Sequence, residues 1–95
     1  MKIRLSEQVA GFTKGLAPEP RRKVRLALKG LTKGKGDIRA LEGALASYSR
    51  LRVSSYRVIL FFRSHDQIEC IFAERRSIVY EVFAQELRDT LAGKV

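Results

Sequence analysis

Ninety-five residues, of which 45% are hydrophobic, predict a single domain with one modest core and leave no room for a second domain. Nineteen lysine and arginine residues against ten acidic residues give a net charge of +9, which favours a polyanionic partner: nucleic acid, an anionic membrane surface or an acidic protein. No apolar run is long enough to span a membrane, no apolar leader follows Met1, and one cysteine cannot form an internal disulfide, so we expect a cytoplasmic protein.

The chain begins with a predicted strand and a predicted helix. Residues 2–5 suggest a short strand. Ser6 suits the N-cap of the helix that follows, because a serine hydroxyl can accept a hydrogen bond from a free helical N–H. The apolar residues of that helix recur at helical spacing and are Val9, Phe12 and Leu16.

A second helix is predicted from Pro20, which suits a first helical turn, to about Lys33. Its core-facing stripe consists of Val24, Ala27, Leu28 and Leu31. Its other faces carry six basic residues, namely Arg21, Arg22, Lys23, Arg25, Lys29 and Lys33. These side chains form either a solvated face or a binding surface for an acidic partner. A flexible loop is expected at residues 34–37.

Three strands and a last helix complete the prediction. The strands are Tyr48–Val53, Tyr56–Arg63 and Gln67–Ala73, and helical spacing then runs from Ser77 to Leu91. The middle strand is apolar on both faces, which predicts a central position in the sheet. The predicted fold class is α+β: a small antiparallel β-sheet with the two N-terminal helices packed on one face and a short C-terminal helix.

One face of the first predicted hairpin is rich in arginine. By the alternation of side chains along a strand, Arg50, Arg52 and Arg57 share this face. A two-residue turn at 54–55 places Arg52 opposite Arg57. Like charges directly opposite each other weaken a sheet, and a phosphate between the two guanidinium groups would remove the conflict. The alternative is that the long arginine side chains simply extend into water.

The second hairpin extends this face in the register that we adopt. A three-residue turn pairs Phe62 with Ile68, Leu60 with Cys70 and Val58 with Phe72. Arg57 then faces Ala73, so that Arg75 lies on the same face as Arg57. Tyr80, in the last helix, can return toward that edge of the sheet, and the alternative for Tyr80 is a core position.

The residue types exclude most kinds of catalytic site. One histidine and one cysteine cannot form a metal cluster of the usual spacing, and neither glycine-rich nucleotide motif occurs, so we expect no metal and no cofactor. His65 is predicted to be an exposed turn residue, and Cys70 a buried, inert thiol. The acidic residues of the C-terminal half are too scattered for a paired-acid site.

The arginine and tyrosine residues suit chemistry on RNA. Arginine stabilises the negative charge that develops on a phosphate in its transition state, but it is a poor proton donor or acceptor. Tyr80 could position or exchange a proton. RNA supplies its own nucleophile, the 2′-hydroxyl, so such a site could cut RNA without a metal ion. Tyr48 and Phe61 could stack on bases.

Three motifs make the chain resemble the RelE/ParE toxin superfamily. They are Leu41-Glu42-Gly43, Tyr48-x-x-Leu51-Arg52-Val53-x-x-Tyr56-Arg57-Val58-Ile59 and Arg75-Arg76-x-x-Val79-Tyr80. The resemblance implies the toxin of a type II toxin–antitoxin system, neutralised by a cognate antitoxin. In the RelE branch it implies an mRNA interferase, an endoribonuclease that cuts mRNA in the ribosomal A site and so inhibits translation. In the ParE branch it implies an inhibitor of DNA gyrase.

The resemblance also implies roles for individual residues. Arg57 matches an arginine that contacts the scissile phosphate, Tyr80 matches a tyrosine that orients the substrate, and we assign Arg75 to the same catalytic group. The candidate substrate-binding residues are Arg50, Arg52, Arg76 and Tyr48. On the second helix, the candidates for binding the ribosome and its rRNA are Arg22, Arg25 and Lys29.

Two positions depart from the RelE pattern. Tyr48 stands in place of a second strand lysine, and Glu74 stands in place of a catalytic arginine six residues before Tyr80. We expect a metal-independent endoribonuclease whose partners are an antitoxin, the ribosome and mRNA, with no membrane partner. The alternatives are a ParE-like gyrase inhibitor and a non-catalytic basic RNA-binding module.

Overall fold

The predicted strands and helices are present in the computed structural model, which describes residues 1–93 and contains one further strand. The strands are β1 (Lys2–Leu5), β2 (Asp37–Ala40), β3 (Ser49–Val53), β4 (Tyr56–Ser64) and β5 (Gln67–Arg75). The helices are α1 (Glu7–Gly15), α2 (Pro18–Leu31) and α3 (Val79–Gly93), and a short 3₁₀ helix spans Gly43–Leu45. The α+β fold class is confirmed.

All five strands form one sheet in the order β1-β5-β4-β3-β2, so the central position predicted for the middle strand, β4, is confirmed. The predicted pairs Phe62–Ile68 and Leu60–Cys70 are also confirmed. The sheet is mixed rather than wholly antiparallel, because β1 runs parallel to β5. Parallel pairing needs a long crossover connection, and α1 and α2 begin the long connection that leads from β1 to the other strands.

The two N-terminal helices begin at residues that suit helix starts. The Ser6 hydroxyl accepts a hydrogen bond from the Val9 N–H at 3.1 Å, which confirms the predicted cap of α1. α2 begins at Pro18, two residues before the predicted start, and ends at Leu31. Both of its prolines fit, because N–H groups in a first turn have no partner inside the helix.

β2 is the strand that the sequence does not predict, and it begins inside the expected loop at 34–37. One of its side chains, Ile38, packs against the core opposite Leu51. A four-residue strand with a single core contact is too short to show a clear alternation. Gly36, just before it, has a φ of +140°, a conformation that favours glycine.

α1 and α2 cover one face of the sheet, called the α1/α2 face below. The helix residues in this core are Val9, Val24, Leu28 and Leu31, and the sheet residues are Leu51, Val53, Val58, Leu60, Ile68, Cys70 and Ala73. The predicted packing of both N-terminal helices on one face is therefore confirmed.

α3 packs on the opposite face, called the α3 face below. Val79 and Phe83 of α3 form a second core cluster with Ile59 and Phe72 of the sheet. The ring centroids of Phe72 and Phe83 lie 5.7 Å apart. β4 therefore contributes buried residues to both faces, as its composition predicts.

β5 contains a bulge at Ile71 that the sequence does not predict. Ile59 faces Phe72 across the β4–β5 pair. Val58 faces Ala73, so the predicted pairing of Val58 with Phe72 is wrong. One extra residue in β5 reverses the alternation of every later side chain, and Phe72 consequently lies on the α3 face.

Side chains of the chain's start hold this bulge in place. β1 pairs with β5 only as far as Leu5 opposite Cys70. Beyond that point the Ser6 hydroxyl donates a hydrogen bond to the Ile71 carbonyl at 2.9 Å. The Gln8 amide then makes two hydrogen bonds with Ala73, donating to its carbonyl and accepting from its N–H, each at 2.7 Å. These side chains take over the pairing that a longer β1 would have supplied.

Gly36→Ala is expected to lower the free energy of unfolding by about 1 to 3 kcal/mol, the range found for overpacked cores. An added Cβ would lie 2.9 Å from Leu51 Cδ1 and 3.4 Å from Leu31 Cδ2, in a backbone conformation that already disfavours L-residues. Gly11→Ala is the matched control, since an added Cβ there meets no atom within 4 Å. Because alanine favours a helix more than glycine does, this variant should raise the free energy of unfolding by about 0.5 to 1 kcal/mol. Urea unfolding of both variants measures the difference, and equal stability of the two would contradict the packing described.

Candidate functional site

A row of four charged residues crosses the α3 face at one end of the sheet. In the order of the strands β2, β3, β4 and β5, the row consists of Asp37, Arg52, Arg57 and Glu74. The predicted facing pair of Arg52 and Arg57 is confirmed. A carboxylate flanks each arginine, so the repulsion between the two guanidinium groups is partly offset within the sheet itself. We call these four residues the charged row.

Arg57 is half-buried and anchored to the turn that precedes it. Its Nη1 donates hydrogen bonds to the carbonyls of Ser54 at 3.0 Å and of Tyr56 at 2.8 Å. Ser54 has a φ of +55°, the left-handed conformation that a tight two-residue turn requires, so the predicted turn is confirmed without glycine. Within the described contacts only Nη1 is engaged, and Nε and Nη2 can donate to an anion.

Arg50 lies on the same face, as predicted, and is bound to a residue of the charged row. Its Nη1 donates to the Asp37 carbonyl at 2.9 Å and to Asp37 Oδ1 at 3.3 Å, and its side chain is only 13% exposed. Arg39 of β2 faces Arg50 and is itself exposed. The sequence does not indicate Arg39 as a candidate site residue, because residues 37–40 carry no clear strand pattern.

Arg75 does not lie on the face of Arg57, so that part of the prediction is wrong. Arg57 faces Glu74, not Ala73, and Arg75 faces Tyr56, whose ring packs with the α1/α2 core. The bulge in β5 is the physical cause, because one inserted residue exchanges the two faces of the strand. A catalytic role for Arg75 stays a prediction that has lost its geometric support.

Arg76 lies next to the β3–β4 turn, close to the arginine end of the sheet. Its backbone N–H donates to the Ser55 carbonyl at 2.8 Å, and its side chain is exposed. This contact ties the connection between β5 and α3 to the hairpin. The substrate-binding role of Arg76 stays a prediction.

Tyr48 packs within an aromatic cluster on the α3 face. Its ring meets Phe83 edge to face at a centroid distance of 5.1 Å, and meets Phe61 in the same way at 6.3 Å. Tyr48 is half-buried. It therefore supports α3, and its ring is less available for stacking on a base than the sequence suggests.

Tyr80 is exposed in the first turn of α3, so the alternative of a core position is excluded. It lines an open groove with Ala40, Leu41, Glu42 and Leu45. Ala40 stands at the other end of β2 from the charged row, about 10 Å along the strand. Tyr80 therefore shares the α3 side of the sheet with Arg57 but lies toward the opposite end of β2.

The basic residues of α2 form a second positive surface. Arg22, Arg25 and Lys29 are all exposed, and Arg22 approaches Glu19 at 3.7 Å. Exposed Leu26 lies among them. Because α2 packs on the α1/α2 face, this surface and the charged row lie on opposite sides of the sheet.

The remaining reactive side chains lie away from the charged row. His65 is exposed in the β4–β5 turn and Cys70 is buried, as predicted. Burial, and secondarily the charge of Glu69, raise the pKa of the Cys70 thiol to about 11, so it stays protonated and inert at neutral pH. Residues 1–93 contain no group of three His, Cys, Asp or Glu side chains that could hold a metal ion. In the same described part of the chain, no helix is long and apolar enough to cross a membrane.

The solved structures with this architecture include a toxin and two toxin–antitoxin complexes. The RelB–RelE antitoxin–toxin complex from Methanococcus jannaschii matches with a TM-score of 0.64 and 20% identity, over 83% of this chain and 96% of that chain. The toxin–antitoxin complex RelBE2 from Mycobacterium tuberculosis matches with a TM-score of 0.63 and 19% identity, over 79% of this chain and 96% of that chain. The YoeB/ParE toxin from Agrobacterium tumefaciens matches with a TM-score of 0.55 and 20% identity, over 80% of this chain and 99% of that chain.

This chain has a RelE/ParE-like toxin fold. No protein-family model and no curated protein matches the sequence. At identities of 20% or less the structural likeness shows the fold, and the RelE/ParE-like architecture covers about four fifths of the chain in each of these three comparisons.

Proposed function

We propose that this chain is the toxin of a type II toxin–antitoxin pair and that it cuts mRNA on the ribosome without a metal ion. The observation that carries the proposal is the facing pair of Arg52 and Arg57 on the α3 face of a RelE/ParE-like fold. Two guanidinium groups side by side form a site for a phosphate, and arginine binds phosphate through parallel N–H bonds.

The chemistry assigned to Arg57 is electrostatic. Its Nη1 is held by two carbonyls of the turn, so the guanidinium needs little reorganisation when a phosphate binds at Nε and Nη2. Arg52 faces it and contributes the second positive charge, while Arg50 and Arg76 flank the site. The RNA 2′-hydroxyl acts as nucleophile on the adjacent phosphorus. Tyr80 and its groove would hold a neighbouring nucleotide.

The proposed partners follow from charge and from the likeness to complexes. Two of the matched structures are toxin–antitoxin complexes, which supports an antitoxin as a partner of this chain. A net charge of +9 suits an acidic neutralising segment as well as the ribosome. We propose that the basic surface of α2 contacts rRNA while the charged row, on the other side of the sheet, contacts mRNA, both in the cytoplasm.

One observation favours a second target. In the sequence, Glu74 stands where the RelE pattern has a catalytic arginine, and the register removes Arg75 from the face of Arg57, so the site carries one guanidinium fewer. A ParE-like gyrase inhibitor needs no catalytic face and would tolerate that loss. Purified protein tested in parallel for cleavage of mRNA on translating ribosomes and for inhibition of gyrase supercoiling distinguishes the two targets.

Arg57→Ala is expected to lower the rate of mRNA cleavage by about 100- to 1,000-fold, the scale seen when one preorganised donor is removed. The variant should fold normally, since Arg57 lies on an open face and its loss relieves the repulsion with Arg52. Growth arrest on expression should weaken in parallel. Arg63→Ala is the matched control, because Arg63 is an exposed arginine of the same strand that pairs with Glu69 at 2.9 Å, far from the charged row.

An Arg57→Ala chain that is soluble, folded and still arrests growth like the wild type would count against this phosphate site. If the same chain inhibits supercoiling and leaves mRNA intact, gyrase becomes the target.

Ribosome binding should depend steeply on salt and on α2. Neutral replacement of Arg22, Arg25 and Lys29 by Gln should weaken binding and reduce the slope of log affinity against log salt by about one for each phosphate that the variant no longer neutralises. Arg63→Gln is the control, since Arg63 is exposed, pairs with Glu69 and lies away from both the charged row and α2, so its slope should equal that of the wild type. Sedimentation with ribosomes over a salt series gives the slopes, and identical slopes for the triple variant and the wild type would place the rRNA contact elsewhere.

A further inference from the structure

We propose that Glu74 is the general base of the cleavage reaction, a role that rests on the proposed function. Glu74 faces Arg57 directly across the β4–β5 pair, on the open α3 face. Side chains directly opposite each other in an antiparallel pair have Cβ atoms about 5 Å apart. A carboxylate therefore stands beside the guanidinium that would hold the scissile phosphate.

Among the described residues, the site has no other side chain suited to taking a proton. Arginine stays protonated at any physiological pH, so Arg50, Arg52 and Arg57 cannot accept one. Asp37 lies at the β2 end of the row, where it pairs with Arg50, and Arg52 separates it from Arg57. A base is nevertheless needed, because a 2′-hydroxyl must lose its proton as it attacks phosphorus.

The histidine and two of the tyrosines lie too far from Arg57 to act as the base. His65 is in the β4–β5 turn, at the far end of β4 from Arg57. Tyr48 is packed against Phe83, and Tyr80 lines a groove at the other end of β2. Within the described part of the chain, Glu74 is therefore the carboxylate that combines position and chemistry.

The local hydrogen bonds suit this role. Glu74 is half-buried, and its Oε1 accepts a hydrogen bond from the Arg75 N–H at 2.9 Å. This bond fixes the carboxylate and leaves Oε2 to accept a proton. The charged groups on its own face are Arg57 of β4 and, beyond it, Arg52 of β3, whereas Arg75 lies on the α1/α2 face and Arg76 follows in the connection to α3. Of the titratable groups in the first turn of α3, Tyr80 lines the groove near β2, and Glu81 lines a separate surface with Ile78 and Gln85.

The reaction balances with RNA and water alone. The 2′-hydroxyl gives its proton to Glu74 Oε2 as its oxygen forms a bond to phosphorus. The bond from phosphorus to the 5′-oxygen breaks, and that oxygen takes up a proton from water. The products are a 2′,3′-cyclic phosphate and a 5′-hydroxyl, and Glu74 returns its proton to water. Arg57 and Arg52 stabilise the added negative charge on the phosphorane.

A general base at Glu74 predicts the opposite effect of Glu74→Arg from the one expected if Glu74 only replaces the RelE arginine. If Glu74 merely replaces a useful arginine, Glu74→Arg should restore a positive charge and raise the cleavage rate. If Glu74 is the base, Glu74→Arg removes the proton acceptor and should cut as poorly as Glu74→Gln.

The test compares the wild type with Glu74→Gln, Glu74→Asp and Glu74→Arg in single-turnover cleavage of mRNA on programmed ribosomes. Glu74→Gln should cut about 100- to 10,000-fold more slowly, the usual contribution of a general base, and Glu74→Asp should recover part of the rate. The acid limb of the pH–rate profile should be present in the wild type and absent in Glu74→Gln. Ribosomes whose A-site codon carries 2′-deoxynucleotides lack the attacking hydroxyl and so report binding without cleavage. The three variants should bind them as tightly as the wild type does.

Glu69→Gln is the matched control, since Glu69 is a carboxylate of the same strand and face that pairs with Arg63. Faster cutting by Glu74→Arg, or an unchanged rate and pH profile in folded Glu74→Gln, would contradict the role of Glu74 as general base but not the proposed nuclease activity. A wild-type chain that cuts no mRNA on ribosomes would overturn both.

Discussion

Two hydrogen bonds between the Gln8 amide and the backbone of Ala73, each 2.7 Å long, fix the geometry on which the site depends. They satisfy the edge of β5 where β1 has ended and hold the bulge at Ile71 together with Ser6. The bulge turns Phe72 toward α3 and places Glu74 opposite Arg57. A contact at the start of the chain thus decides which side chain of β5 faces the arginines.

The charged row also changes how the facing arginines are understood. Taken alone, Arg52 opposite Arg57 is a destabilising pair that calls for an anion. With Asp37 and Glu74 at its two ends, the row is balanced in charge and can persist without a ligand. The carboxylates also limit how much negative charge the site attracts, so most of the affinity for a polyanion must come from the basic surface of α2 on the other side of the sheet.

Much of the fold follows from the sequence, because its long elements carry clear periodicity. The apolar stripe of α2 and the two apolar faces of β4 each fix an element and its position. β2 has one core contact, at Ile38, and no pattern to find. The bulge is also invisible locally, because it depends on hydrogen bonds from Ser6 and Gln8, 65 residues earlier in the chain.

The sequence predicts the site residues correctly only where a short turn between neighbouring strands fixes the strand register. The β3–β4 turn is two residues long, so Arg52 and Arg57 could be paired from spacing alone, and Arg50 follows by alternation. Arg75 was misplaced because its position depends on the bulge. Glu74 was recognised as a departure from a family pattern, but only its place opposite Arg57 gives it a chemical role.

The most direct test of this geometry is a methyl–aromatic nuclear Overhauser spectrum of the wild-type protein. We predict cross-peaks from the Phe72 ring to the Ile59 methyl groups and to the Phe83 ring, because the bulge turns Phe72 onto the α3 face, where Ile59 and Phe83 lie. Cross-peaks from the Phe72 ring to the Val58 methyl groups instead would show an unbulged β5, return Arg75 to the face of Arg57, and contradict the position of Glu74.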